Sequence, residues 1–239
     1  LRDPVLRAIV GGEALMKRSE INSRIADAEA FFASMSFRLP PWSSRRPEEW
    51  KGRLPGESGI VDAMLGWDLT DFGSGDFDRR GLLLFTLRNG SPSREKTYAE
   101  KAMIVGEGQE TPTHFHWSKM EDIIVRGGGR LVVQLWGSTR DEGLSRDTVL
   151  ISVDGAEREV PAGGEIVLGP GESVCLEPGT YHRFYGEAGS GRVLVGEVSA
   201  VNDDRTDNRF LEPVGRFPEI EEDEPPSRLL ASDYPAYVS

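Results

Sequence analysis

A series of short apolar runs, set apart by turn signals and with no helical pattern between them, restricts this chain to few folds. They are Leu82–Leu87, Tyr98–Val105, Arg130–Trp136, Thr148–Val153, Glu165–Leu168, Ser173–Leu176 and Arg192–Val198. The breaks carry Arg88-Asn-Gly90, Gly127-Gly-Gly129, Asp154-Gly155, Gly169-Pro-Gly171 and Pro178-Gly179. These are residues that accept the tight, often left-handed backbone of a hairpin. Strands following one another without crossover helices pair antiparallel, and many of them close into a sandwich or barrel.

The stretch before the strands reads differently. Ile21, Ile25, Ala28, Phe32 and Met35 recur at alternating steps of four and three, one face of an amphipathic helix, with Arg24, Asp27 and Glu29 left to solvent. Pro40 and Pro41 stop it. Trp42 and Trp50 are expected to pack and seat this arm. Residues 66–77, GWDLTDFGSGDF, are rich in Gly and Asp and read as turns. The spacing of Asp68, Asp71 and Asp76 is not that of a calcium loop, and Gly73-Ser-Gly75 lacks the lysine and helix of a phosphate loop. Residues 16–80 are thus expected as a helix and arm packed on a barrel of residues 81–239, in one structural domain. Residues 1–15, ahead of Met16, are set aside as an extension.

Charge narrows the partners. With 28 basic and 40 acidic residues the net charge is −12, which disfavours nucleic acid and anionic membrane. Glu219, Glu221, Glu222, Asp223 and Glu224 form an acidic run, expected as a solvated tail. The single cysteine, Cys175, excludes an internal disulfide, and between Val174 and Leu176 it is expected as a buried structural thiol. No apolar run reaches the length of a membrane span and no secretory signal is visible, so the cytoplasm is the expected compartment.

The chain has only three histidines, and two of them form His114-Phe-His116. Side chains alternate along a strand, so an H-x-H pair presents both imidazoles on one face. Glu121 follows on the returning strand, and His182, in PGTYHRFYG, is the natural fourth ligand. Three imidazoles and a carboxylate suit a borderline divalent ion such as Mn, Fe, Co, Ni or Zn. The spacing of Gly108, His114, His116, Glu121 and Gly128 resembles the first cupin motif at every position. Gly171, Gly179 and His182 approximate the second, with Pro178 one place late and Gly186 where the motif has Asn. The fold expected is therefore mainly β, a cupin jelly-roll barrel with an N-terminal helical arm. On the residues alone the reading stops at a metal-dependent cupin. It leaves open an isomerase, a dioxygenase using the same ligand set, or a non-catalytic sugar-binding module.

Longer stretches carry a closer resemblance. FRLPPW, LGWDLTDFGSGDF, FTLRNG, KAMIVGEGQETPTHFHWSKMEDIIVRGGG, PGESVCLEPGTYHRFYGE, GEVSAVNDDRTDNRF and GRFPEIEEDE together resemble the D-lyxose isomerase family, over nearly all of the chain from Met16. The resemblance implies a manganese-dependent aldose–ketose isomerase interconverting D-lyxose and D-xylulose, and often D-mannose and D-fructose, as a homodimer. Carried over by motif, the metal ligands are His114, His116, Glu121 and His182.

The expected route is proton transfer through a metal-stabilised enediolate, with a hydride shift left open by the sequence, and the first route needs a base near the carbon-bound proton. Glu197 shares strand parity with Val193 and Val195 and is the candidate base. Lys101, on the strand before the metal motif, is the candidate donor to a substrate oxygen. Asp203, Asp204 and Arg209 are candidates for binding sugar hydroxyls, and Trp117 and Phe184 for apolar walls. The abundance of polar residues after the last strand favours a hydroxyl-rich substrate over the dioxygenase alternative.

Overall fold

The computed structural model describes residues 15–90, 95–201, 206–215 and 219–238. A short strand, β1 (Leu15–Lys17), runs into helix α1 (Arg18–Ser34). The predicted helical face is the buried one: Ile21, Ile25, Ala28 and Phe32 are enclosed, joined by Phe31. The helix ends where Ser36 takes a positive φ of 57°, and Pro40 and Pro41 keep it from resuming. Two 3₁₀ turns, Pro41–Ser44 and Pro47–Trp50, lead to α2 (Leu54–Asp62). Trp42 packs on Phe85 with ring centroids 5.2 Å apart, and Trp50 on Tyr234 at 5.3 Å, so both serve packing as expected.

Two antiparallel sheets follow. The larger has the order β2 (Gly66–Thr70), β3 (Leu82–Arg88), β4 (Tyr98–Val105), β13 (Val193–Ala200), β6 (Glu121–Gly128), β11 (Ser173–Leu176), β8 (Val149–Val153), β9 (Ala156–Val160). The smaller has the order β10 (Gly164–Leu168), β7 (Leu131–Gly137), β12 (Thr180–Gly186), β5 (His114–His116), β14 (Asn208–Phe210). Late strands insert between early ones, β13 between β4 and β6 and β12 between β7 and β5, which is the interleaving of a jelly roll. The fold is a cupin-type β barrel with an N-terminal helical arm.

Burial explains the strand sequences. Between the sheets lie Met103, Ile123, Val125, Val133, Leu135, Val174 and Val195. The outer face of the larger sheet carries Trp67, Leu83, Phe85, Ala102, Ile104 and Leu194, and α1 lies on it. Strands β3, β4 and β13 are therefore covered on both faces, which is why Leu82–Phe85 and Val193–Val195 are continuous apolar runs. Strand β9 is the opposite case. It is an edge, and Glu157, Arg158 and Glu159 leave it charged and unattractive to a further strand. It pairs with β8 through Asp154 and Gly155, both at positive φ (50° and 79°), the two-residue turn that their sequence predicts.

Three expectations are corrected. Residues 66–77 are not all turn: 66–70 form β2, in which buried Trp67 and Leu69 alternate with half-buried Asp68 and Thr70. Gly and Asp disguise that period of two. The real turn follows, with Asp71 accepting the N–H groups of Gly73 and Gly75, both at 2.9 Å. The acidic run is not a loose tail. Strand β15 (Glu219–Glu221) pairs parallel with β1, and Glu222 and Asp223 bind Arg18 and Ser19 at the start of α1. Finally, Cys175 is half-buried and turned away from the core that takes its neighbours Val174 and Leu176. Burial, and then the adjacent Asp122, push its thiol up to about 11, so it is no nucleophile at neutral pH. Among the described residues no helix is long and apolar enough to cross a membrane.

Candidate active site

Strand β5 is only three residues long, and its alternation sets the site. His114 and His116 point into the barrel while Phe115 faces the other way, edge-on to Tyr181 at 4.7 Å. His182 on β12 pairs directly across from His114. The ligand atoms of the three histidines all lie within 4.8 Å of one another. Glu121, the first residue of β6, closes the set: its Oε1 is 3.4 Å from His116 Nε2 and 3.2 Å from His182 Nε2.

The other ring nitrogens explain the orientation. His114 Nδ1 donates to the Pro112 carbonyl at 2.8 Å, His116 Nδ1 to that of Asp207 at 3.3 Å, and His182 Nδ1 to that of Thr180 at 3.0 Å. A carbonyl only accepts, so each Nδ1 carries the hydrogen and each Nε2 presents a lone pair. His116 Nε2 and His182 Nε2 are fully buried and make no hydrogen bond. Burying bare lone pairs beside a carboxylate is costly, and a divalent cation among them resolves the arrangement. The donor set fits a metal.

Protonation agrees. Burial, and then the neighbouring His182 and His116, hold His114 well below the usual imidazole range, so it stays neutral and able to ligate. Burial works to raise the Glu121 carboxyl, but the Lys119 ammonium prevails and holds it well below the usual carboxylate range.

A second buried carboxylate lies beside the first. Glu197 on β13 is 5% exposed and faces the same cavity. Its Oε1 receives Lys119 Nζ at 3.1 Å and Ser199 Oγ at 2.9 Å, and Lys101 Nζ stands 3.2 Å from it. Lys119 also reaches Glu121 Oε2 at 2.6 Å, so one ammonium that is itself 3% exposed bridges the two carboxylates. Sequence reasoning did not single out Lys119. Its only signal is its place, in the loop between the histidine pair and Glu121. Asp207 holds that loop, accepting from Ser118 N and Oγ (2.9 and 2.7 Å) and from Lys119 N (3.0 Å).

The remaining candidates divide. Lys101 lines the cavity, as does Phe184. Arg209 does not: on β14 its neighbours Asn208 and Phe210 face inward, and Arg209 instead reaches Glu142 Oε2 at 2.9 Å. Trp117 is 46% exposed and donates to the same Glu142 at 3.0 Å, outside the cavity. Asp203 and Asp204 lie outside the described residues. Asp68 and Thr70, both from the strand hidden in the supposed turn, complete the lining on the far side. The cavity has a volume of about 150 Å³.

Comparison with known proteins bears on this geometry. The family model described as D-lyxose isomerase matches residues 16–234. A D-lyxose/D-mannose isomerase of Serratia proteamaculans is 49% identical over 229 residues, covering 94% of this chain and 100% of that protein. One from Escherichia coli O157:H7 is 47% identical, covering 92% and 98%. Among solved structures, the L-ribose isomerase of Acinetobacter sp. DL28 in complex with L-ribose superposes with a TM-score of 0.60 at 15% identity, over 88% of this chain and 100% of that one. At that identity the likeness speaks for the fold. A match over nearly the whole chain and relatives at almost half identity speak for the family: this chain belongs to the D-lyxose isomerases and is a sugar isomerase.

Proposed function

We propose that the cavity interconverts D-lyxose and D-xylulose, and D-mannose and D-fructose, with a divalent ion, Mn²⁺, held by His114, His116, Glu121 and His182. The observation that carries this reading is the convergence of bare, buried Nε2 atoms on Glu121, with a second buried carboxylate joined to it through Lys119. The substrates follow from the names of the relatives, and the two aldoses share their configuration at C2, C3 and C4.

A divalent ion in this donor set supplies Lewis acidity to the carbonyl and neighbouring hydroxyl oxygens of the open-chain sugar. The chain's own residues do the proton work. Glu197 is the base: its carboxylate takes the proton from C2 of the aldose and returns it to C1. Lys119, Ser199 and Lys101 gather on its Oε1 and hold it in one orientation. Lys101 is assigned to the substrate oxygens, donating to the one that gains a proton as the other loses its own. Leu82, Leu84, Met103 and Phe184 keep the space apolar, which strengthens every charge interaction within it. The homodimer implied by the family resemblance belongs to the same proposal and is read by sedimentation.

The test is conversion of D-lyxose by metal-stripped protein before and after Mn²⁺ is returned. Activity is expected to come back with the ion and to be lost in His182→Ala. Protein that binds Mn²⁺ yet isomerises neither lyxose nor mannose would overturn the reading.

A further inference from the structure

We infer that Asp68 and Thr70, on the inward face of β2, form the subsite for the hydroxyl group at the end of the sugar remote from its reacting carbons. The inference rests on the isomerase reading above and adds to it the residues that hold the tail of the substrate.

Most polar groups of the cavity fall into two sets, with Thr111 beside Phe184 apart from both. Around the histidines stand Glu121, Lys119, Glu197, Lys101 and Asn208, which pairs with His116; on the far wall stand Asp68 and Thr70. Strand register shows what separates them. Asp68 pairs with Leu84, which pairs with Met103, and Thr70 pairs with Leu82. The wall between the two sets is therefore apolar. Strand β2 lies two strand spacings from β4, the strand of Lys101, or about 10 Å between backbones. A sugar with C1 and C2 beside Glu197 and the histidines extends its other hydroxyls across this apolar stretch towards β2.

Two polar residues interrupt an otherwise apolar face. The outward side chains of β2, Trp67 and Leu69, bind it into the core under α1. The inward ones continue a surface that Leu82, Leu84 and Met103 keep apolar, and there a carboxylate and a hydroxyl are the exceptions. Both are held in place: Asp68 Oδ1 accepts the Leu69 N–H at 2.8 Å, and Thr70 Oγ1 accepts the Phe72 N–H at 2.9 Å. A carboxylate accepts hydrogen bonds from sugar hydroxyls, and a threonine hydroxyl can donate or accept.

Beyond β2 the chain makes close contacts. Phe72 meets Phe210 edge-on at 6.3 Å. Gly73 and Gly215 approach so closely that a Cβ on either would lie 2.8 Å from the other's Cα.

The experiment compares D-lyxose with 5-deoxy-D-lyxose, which lacks only the terminal hydroxyl, in the Mn²⁺-loaded wild type, Asp68→Ala and Thr70→Val. The wild type is expected to lose about ten- to a hundred-fold in kcat/KM on the deoxy sugar, the range for a hydrogen bond to a charged or buried group. The variants should lose on D-lyxose, chiefly through KM, and lose little further on the deoxy sugar, so that the discrimination collapses. Equal losses on both sugars, or a wild type indifferent to the missing hydroxyl, would overturn the subsite and leave the isomerase reading intact. Thr70→Val keeps the shape of the side chain and carries the comparison if Asp68→Ala does not fold. A wild type that isomerises neither sugar defeats the isomerase reading, and the subsite with it.

Discussion

Two carboxylates in one small cavity repel each other, and this site answers that with ammonium groups. Lys119 lies 2.6 Å from Glu121 and 3.1 Å from Glu197, and Lys101 adds a second positive charge at Glu197. The two acids nevertheless have separate tasks, since only Glu121 faces the bare imidazole nitrogens. Glu197→Gln separates them. The amide keeps the size of the side chain and its contact with Ser199 but cannot take a proton from carbon. The expected result is a fall in kcat of about 10²–10⁴ with bound Mn²⁺ unchanged. Turnover and metal content measured on the same preparation check it; loss of metal together with activity would make Glu197 part of the ion site instead of the base.

At the scale of elements, the larger sheet stands between the helix and the chemistry. Helix α1 packs on its outer face, and the cavity opens on its inner one. Phe32, 1% exposed and 6.0 Å from the Trp67 ring, belongs wholly to the outer side. Phe32→Ala is accordingly expected to cost about 3–5 kcal/mol of stability. It should leave kcat/KM of the folded protein unchanged, as denaturant unfolding and initial rates on one sample would show. A fall in kcat/KM at full folding would mean that the sheet transmits the helix contact to Asp68. The same layering decides what the sequence could tell. His114, His116 and Glu121 were legible because a period of two and a short return bring them together, and α1 because its apolar face repeats at helical spacing. Strand β2 was not, because Gly66, Asp68 and Thr70 look like turn residues to any reading that cannot see the cavity that Asp68 and Thr70 face. Lys119 was hidden for a related reason. It sits in a loop, where no periodicity gives direction, and its orientation depends on Asp207, far along the chain. Arg209 stands apart from the cavity on parity alone: the register of β14 against β5 turns Asn208 and Phe210 inward and Arg209 outward.

Across the whole molecule, one buried guanidinium ties the ends of the described chain together. Arg18 opens α1 with no exposure at all, and it binds Asp233 near the C-terminus (2.9 and 3.0 Å) and Glu222 in the acidic run (2.7 and 2.9 Å). Burial would lower the Arg18 pKa, but these two carboxylates prevail and raise it, so the charge persists at every ordinary pH. Removing it leaves Asp233, 9% exposed, without its countercharge. Arg18→Met is therefore expected to destabilise the fold by about 3–5 kcal/mol, the cost of breaking one side of a buried pair. The pH dependence has a definite sign. The hydrogen bond from Arg18 holds the Glu222 carboxyl below its ordinary value of 4.5, so this pair stabilises the fold above that value. Its contribution fades as pH falls through the lower, folded value. Glu222 is half exposed, so solvent screens the pair and its share is small. Urea midpoints of the wild type and Glu222→Gln should therefore differ at neutral pH and converge as pH drops below 4.5. A gap that persists in acid would show that Glu222 acts through packing and not through its charge.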